Sequence, residues 1–262
     1  MYYYLYDNFL NDRKYEKVLD RIKAGLLDLD IQGKHERLSL LKSMDTLISD
    51  EIKRGIKTVI VVGNDNTFLK AVDAVVKGGA TLGIIPIGEE NSIADNLGVP
   101  HEERACEVLA ARKIVDFDLG QVGENFFFST LKISKNIDRL TINHQGYRVT
   151  PRGQCSEVAV YNAPLAEKKI EGLLENISAQ DGKLDLVFKS SLPNTGWNKY
   201  FTKEKEKVID SVIQGVNFEI KSFEYLPVML DDYKVIKTPI AVKLGNKKIR
   251  VIVGKSSHAH IN

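Results

Sequence analysis

The first part of the chain alternates short continuous apolar runs with stretches whose apolar residues recur at helical spacing. Tyr2 to Tyr6, Lys57 to Val62 and Thr81 to Pro86 are runs of the first kind. Runs of this length between turn residues predict buried strands. Tyr15, Val18, Leu19, Ile22 and Leu26 follow the spacing that lays one apolar stripe along a helix. Met44, Leu47, Ile48 and Ile52 predict a second helix, started by Ser43 or Asp45 and stopped by Gly55. Phe68, Ala71, Val72 and Val75 predict a third over Thr67 to Lys77, ended by Gly78-Gly79. A short strand is expected over Leu38 to Leu41, a short helix near Ser92 to Leu97 and a longer one from His101 to Arg112. Helices alternating with strands that are apolar throughout predict a parallel sheet covered on both faces.

After Lys113 the period changes. Lys113 to Leu119, Asn125 to Ile133, Asp138 to Asn143, Tyr147 to Thr150, Glu157 to Asn162 and Lys183 to Lys189 read as strands with turn signals between them. Thr202 to Gln214 predicts a helix, with Val208, Ile209, Val212 and Ile213 apolar. Asn217 to Phe223, Pro227 to Leu230, Ile240 to Leu244 and Lys248 to Val253 resume the strands. Gly245-Asn246 is expected to turn a hairpin between the last two. The pattern predicts two domains: an α/β domain over 1–113 and an antiparallel β-rich domain over 114–262. The last hairpin is free to return toward the first domain.

Composition narrows the function. Of 262 residues, 43% are hydrophobic and 27% charged, which suits a globular protein and excludes a disordered or fibrous chain. No apolar run approaches the ~18 residues of a membrane span. Met1 to Tyr6 lacks a positive leader and reads as a first strand rather than a signal peptide. The net charge of +2 is interspersed, with no basic stripe beyond short clusters such as Lys203 to Lys207, so nucleic acid is not an expected partner. Cys106 and Cys155 stand far apart in no metal-ligand spacing, as suits two free thiols in a reducing cytoplasm.

Two segments carry chemistry. Val61 to Lys70 takes a buried strand through Gly63-Asn64-Asp65-Asn66-Thr67 into a helix that Thr67 is expected to cap. Asn tolerates left-handed backbone, so Asn64 and Asn66 can stand in for loop glycines. Leu82 to Pro100 repeats the arrangement, with Gly88-Glu89-Glu90-Asn91-Ser92 between strand and helix. Parallel sheets bind ligands at the carboxyl ends of their strands, where helix N-termini attract phosphate. Each stretch alone also suits a plain strand-to-helix turn.

Together they resemble the diacylglycerol kinase catalytic-domain family, which includes bacterial lipid kinases and sphingosine kinases. That family has G-G-D-G-T, then L-G-I-I-P-x-G-T-G-N-D-F-A-R-x-L-G-I-P at a matching distance. Val115 to Gly120 resembles its I-D-L-G, Asp181 to Leu186 its D-G-x-L-D-L, and Asp231-Asp232-Tyr233 falls where it has D-G-E. The resemblance implies a two-domain lipid-kinase or NAD-kinase-like fold with the site in a cleft, ATP and Mg²⁺ as cofactors, and a lipid hydroxyl as acceptor. It also implies a cytoplasmic protein working transiently at a membrane surface, with a homodimer among its assemblies. Gly63, Asn64, Asp65, Asn66, Thr67, Gly88, Glu89 and Asn91 would bind nucleotide, Asp65 would also hold catalytic metal, and Asp231 would be the general base. Asp181, with the carbonyls of Ser178 and Lys183, would hold a structural Mg²⁺.

The departures are specific. Two loop glycines have become Asn64 and Asn66, the nucleotide-contacting Thr has become Glu89, and the Glu of D-G-E has become Tyr233. Asp7 to Asn11 replaces the family's N-P-x-S-G loop. Such changes leave a second reading open, a non-catalytic nucleotide- or lipid-binding protein on the same fold. A third, NAD kinase, is disfavoured because Ile87 to Asn91 follows the lipid-kinase pattern. His101 is expected at the surface. His258 and His260 suit a frayed end or a metal site. Trp197, Tyr200 and Phe201 suit packing or a lipid groove.

Overall fold

The structure, a computed structural model, describes residues 1–39, 42–151, 155–163, 178–191 and 207–255. The expectations for Trp197, Tyr200, Phe201, His258 and His260 lie outside these residues. The chain divides into two units. One is Met1–Leu119 with a return segment from Asn246, and the other is Gly120–Pro164 with Lys169–Gly245.

The first unit alternates as its periodicity dictates: β1 (Tyr2–Tyr6), α1 (Glu16–Asp28), β2 (Gly33–Arg37), α2 (Met44–Lys53), β3 (Thr58–Gly63), α3 (Asp65–Gly78), β4 (Thr81–Pro86), α4 (Ser92–Asn96), α5 (Ala105–Ala111) and β5 (Ile114–Phe117). Every residue of β3 and β4 is buried, as both faces of a parallel sheet are when helices cover them. The helices bury the predicted stripes: Val18, Leu19, Ile22 and Leu26 on α1, and Phe68, Ala71, Val72 and Val75 on α3. Each large aliphatic side chain so buried contributes roughly 1.5–3 kcal/mol.

Of the strand expected over Leu38 to Leu41, Leu40 and Leu41 lie outside the described residues; the second strand is Gly33–Arg37. Its sequence, Gly-Lys-His-Glu-Arg, carries no apolar signal because it is an edge strand with β1 as its one neighbour. It is held by side chains instead: the His35 ring stacks on Tyr4 at 4.7 Å and meets the Tyr6 hydroxyl at 2.8 Å. Gly33 is required, since a Cβ there would lie 2.3 Å from the Tyr2 carbonyl oxygen.

The second unit contains β6 (Gly120–Val122), β7 (Asn125–Phe127), β8 (Thr130–Ile133), β9 (Leu140–His144), β10 (Tyr147–Val149), β11 (Cys155–Tyr161), β12 (Leu184–Ser191), β13 (Lys207–Gly215), β14 (Asn217–Ser222), β15 (Pro227–Leu230), β16 (Lys234–Lys237) and β17 (Ile240–Leu244). They form two antiparallel sheets, ordered β10-β9-β14-β17-β6-β7 and β13-β12-β11-β8-β15-β16. Ile142, Phe218 and Val242 from the first sheet share one core with Leu131, Val158, Leu186 and Val228 from the second. This is a β-sandwich.

Three expectations are corrected here. The helix over Thr202 to Gln214 is a strand where it is described, β13. Its pairing with β12 shifts at Phe188/Lys189, so that Ser211 and Ile209 are partnered while Asp210 is skipped. The shift breaks strict alternation and mimics helical spacing. Val212 then packs on Ala159, Tyr161 and Val187, while Ile213 joins the main core. The run Asn125 to Ile133 is two strands in different sheets, because the backbone N–H groups between them bond a side chain instead of a neighbouring strand. Finally, Gly245-Asn246 turns no hairpin. β17 pairs with β14 and β6, whereas Ile249–Ile252 (β18) lies in the first unit's sheet, parallel to β4 and antiparallel to β5. That sheet runs β2-β1-β3-β4-β18-β5.

Among the described residues no helix is long and apolar enough to cross a membrane.

Candidate active site at the strand ends

β3 ends at Gly63 and α3 begins two residues later. The N-cap is Asn64 rather than Thr67. Asn64 Oδ1 accepts the Thr67 N–H at 3.3 Å, and Thr67 Oγ1 accepts the Asn64 N–H at 3.1 Å, a reciprocal capping box. Thr67 in turn donates its hydroxyl to Asp7 Oδ2 at 2.6 Å. Gly63 allows this packing, since a Cβ there would sit 2.3 Å from Thr67 Oγ1. Neither loop asparagine is left-handed. Asn64 is extended, with φ −116, and Asn66 lies exposed in the first turn of α3. The helix starts too early to need a glycine-like turn.

The left-handed residues are in the second loop instead, Gly88 at φ 86 and Glu90 at φ 63. A positive φ at Glu90 costs roughly 1 kcal/mol or more and needs compensation. Hydrogen bonds between the loops provide it. The Asp65 N–H donates to the Glu90 carbonyl at 2.9 Å, and the Ile87 N–H to the Gly63 carbonyl at 2.8 Å. Asp65 Oδ1 accepts the Ile93 N–H at 2.9 Å, and the Ser92 N–H also favours its anion. Asp65 therefore caps α4, whose own N-cap residue Asn91 makes no cap bond. Burial pushes the Asp65 carboxyl up to about 6 against those two amides, with Asp95 and Glu90 adding like charge. Asn91 donates to the Gly88 carbonyl at 2.8 Å, while its buried Oδ1 has no partner. That orphan acceptor suits a donor supplied from outside the chain.

These turns stand at the carboxyl ends of β3 and β4, so the structure brings Gly63, Asn64, Asp65, Thr67, Gly88 and Asn91 together. Glu89 and Glu90 are exposed at the rim. A separate cavity of about 270 Å³ in the first unit has a mixed lining, with Arg13, Lys23 and Arg37 beside Asp12, Glu16 and Asp20, and none of the loop residues borders it. Arg37 donates to Asn11 Oδ1 at 2.8 Å, and neither Arg13 nor Arg37 forms an ion pair among the described residues. Sequence reasoning missed Asp7, which accepts the Thr67 hydroxyl. The available signal was an acid directly after the first strand, in the place of a glycine-containing loop.

The remaining site residues lie in the second unit. Asp181 is exposed in a turn in which its Oδ1 accepts the Lys183 N–H at 3.0 Å and its N–H faces the Ser178 carbonyl at 3.5 Å. Asp185 nearby is buried and accepts from Gln214 at 2.9 Å. Asp231 is 2% exposed, and both its oxygens meet backbone: Phe128 N–H at 2.7 Å, Ser129 N–H at 2.8 Å and Thr130 N–H at 2.9 Å. These amides are the ones that separate β7 from β8. Asp231 holds the corner where the chain leaves one sheet for the other, aided by Asn162, which donates to the Phe128 carbonyl at 2.7 Å. Burial pushes its carboxyl up to about 6, although the three amides favour the anion. Asp232 is exposed and paired with Lys132 at 3.1 Å.

Magnesium is the metal such a site implies. Among the described residues no three His, Cys, Asp or Glu side chains form a ready cage. Magnesium rarely uses one, taking one or two carboxylates beside phosphate and water oxygens. Asp65 offers hard oxygens with lone pairs beyond those its amides use, and the Ser178, Asp181 and Lys183 turn offers oxygen donors only. The donor chemistry fits at both places.

Residues 9–122 match the model of the diacylglycerol kinase catalytic domain. A Pseudomonas aeruginosa protein described as a probable lipid kinase, YegS-like, is 28% identical over 85 residues, 32% of this chain and 28% of that protein. A protein of the same description from Enterobacter sp. strain 638 is 29% identical over 86 residues, 31% of this chain and 29% of that protein. The matched stretch thus spans under a third of either relative. A crystal structure described as a diacylglycerol kinase from Bacillus anthracis str. Sterne superposes with a TM-score of 0.75 at 17% identity, covering 98% of this chain and 97% of that one. The fold is shared over nearly the whole length.

Proposed function

We propose, from the match of residues 9–122 to the model of the diacylglycerol kinase catalytic domain, that the chain is a kinase of that family and transfers a phosphoryl group from ATP to a lipid hydroxyl. The observation that supports this reading is the pair of strand-loop-helix turns bonded to each other through Asp65, with the unpartnered Asn91 Oδ1 between the loops. In phosphoryl transfer the protein's work is positioning and charge neutralisation. On this reading Asn91 orients the nucleotide and Asp65 would hold Mg²⁺. The metal, when bound, would neutralise charge on the transferring group. Asp231 is the carboxylate in the general-base position. The proposed setting is cytoplasmic, with transient contact to a membrane surface.

A second reading has its own support. Asp231 already serves three of its roughly four lone-pair positions to buried amides, leaving little for a substrate proton. Together with the anionic Glu89 it favours a protein that binds nucleotide or lipid on this fold without transfer. A radiolabelled-ATP assay over diacylglycerols, sphingoid bases and phospholipids in detergent micelles separates the two. Labelled lipid from wild type, lost in Asp65→Asn with the fold intact, supports transfer. No label in any acceptor, with ATP–Mg²⁺ binding retained in calorimetry, selects the second reading.

A further inference from the structure

The link between β14 and β15 exposes two aromatic side chains at one tip: Phe223 is 99% exposed and Tyr225 77%. A Phe left wholly in water gains nothing for the fold, because its apolar surface stays hydrated. The tip is nonetheless built. Ser222 and Thr238 hydroxyls meet at 2.5 Å, the Leu226 N–H donates to Thr238 Oγ1 at 2.9 Å, and the Thr238 N–H donates to the Leu226 carbonyl at 3.0 Å. Leu226 is buried directly behind. The aromatics are presented by a braced turn.

Register places basic residues at the same end of the sandwich. Ser222 faces Leu140, which brings Arg139 alongside, and Pro227 faces Lys237. Met229 faces Lys132, so the chain beyond Ile133 carries Lys135 to this end as well. Lys221 precedes the tip. Against these four cations stand Asp138 and Glu224, of which Glu224 is paired with Arg139. Lys221 is paired with Glu219 at 2.6 Å, but Lys135 and Lys237 form no ion pair among the described residues. Both are exposed.

We propose that this tip docks the chain on an anionic lipid bilayer, with Phe223 and Tyr225 entering the interface and Lys135 and Lys237 facing the headgroups. Area argues against a protein partner. Two aromatic side chains present roughly 150–250 Å² each, about half of the ~800 Å² that each side of a standard protein interface buries. A bilayer interface requires no complementary surface and favours aromatic side chains backed by basic ones. The inference goes beyond phosphoryl transfer and concerns a surface of the second unit alone.

The test is sedimentation of the full chain with vesicles, without nucleotide, so that it stands apart from any kinase assay. Wild type should bind phosphatidylcholine vesicles containing phosphatidylglycerol and bind phosphatidylcholine alone more weakly. The double variant Phe223→Ser/Tyr225→Ser should lose about tenfold or more in partitioning at an unchanged melting temperature, while Phe223→Trp should keep it. Lys135→Gln and Lys237→Gln should each weaken binding to the anionic vesicles about fivefold. Three results overturn the proposal. They are no binding by wild type, equal binding by the serine variant, or concentration-dependent self-association in sedimentation velocity that the serine variant abolishes. Absence of lipid phosphorylation would leave it standing, and failure to bind vesicles would leave the micelle assay of transfer untouched.

Discussion

Replacing Asp231 with alanine should unfold the second unit more easily than any conservative change in its core. The carboxylate closes three backbone N–H groups at 2.7, 2.8 and 2.9 Å in a corner that no water reaches easily, since the residue is 2% exposed. Leaving one buried donor unsatisfied costs about 1–3 kcal/mol. Three donors therefore cost at least about 3 kcal/mol even with some relaxation. Asp231 also sits at φ 45, a conformation that Asp and Asn tolerate better than Ala, which adds about 1 kcal/mol. A loss of about 4 kcal/mol or more corresponds to a fall of at least roughly 8–16 °C in melting temperature for a chain of this size. Asp231→Asn keeps one acceptor oxygen and the backbone preference, so its loss should be about half as large. Calorimetry of both variants beside wild type measures this. An alanine variant that melts within about 2 °C of wild type would show that the corner does not depend on this carboxylate. If Asp231→Asn also abolished turnover at unchanged stability, the general-base role would regain its footing.

Burial raises the Asp65 and Asp231 carboxyls from 3.8 to about 6. The stability they contribute is then fully present below about pH 4 and lost as pH rises through about 6, which urea midpoints across that window should follow and Asp231→Ala should reduce by about half, Asp65 supplying the rest. Glu89→Thr removes an exposed anion beside the proposed polyphosphate and should tighten ATP–Mg²⁺ binding about fivefold by calorimetry; unchanged affinity would place the nucleotide elsewhere. Thr67→Val breaks one half of the capping box and the bond to Asp7, and should cost about 1–2 kcal/mol in urea unfolding. Asp181→Asn should abolish any Mg²⁺-dependent rise in melting temperature, and a wild type whose melting ignores Mg²⁺ would dismiss that site.

The sequence made the α/β unit readable because β3 and β4 are apolar at every position and α1 and α3 carry regular stripes. It hid β2, whose Lys-His-Glu-Arg is stabilised by partners on β1 rather than by its own hydrophobicity. β13 was misread because one skipped residue at a register shift turns period two into something like period 3.6. The residue types of the candidate site were legible, but their bonding was not. Asp65 reaches the Ile93 amide, and Asp231 reaches amides of residues 128–130, across separations that no local pattern records. Left-handed backbone was expected at the asparagines of the first loop and occurs in the second. Helix initiation at Asp65 leaves the first loop no room for it.

The place of β18 bears on how the chain is made. Ile249–Ile252 lies between β4 and β5, yet it is synthesised only after the whole β-rich unit. While the ribosome is still working through the sandwich, the nascent α/β sheet has a gap, with the edges of β4 and β5 uncovered. Unpaired strand edges recruit other chains. Vectorial synthesis thus leaves the nucleotide-proposed unit waiting for its final strand, and the interval is a window in which a chaperone, or a neighbouring nascent chain, can occupy the gap. A message stalled before codon 249 would release a protein with a finished sandwich and an open sheet.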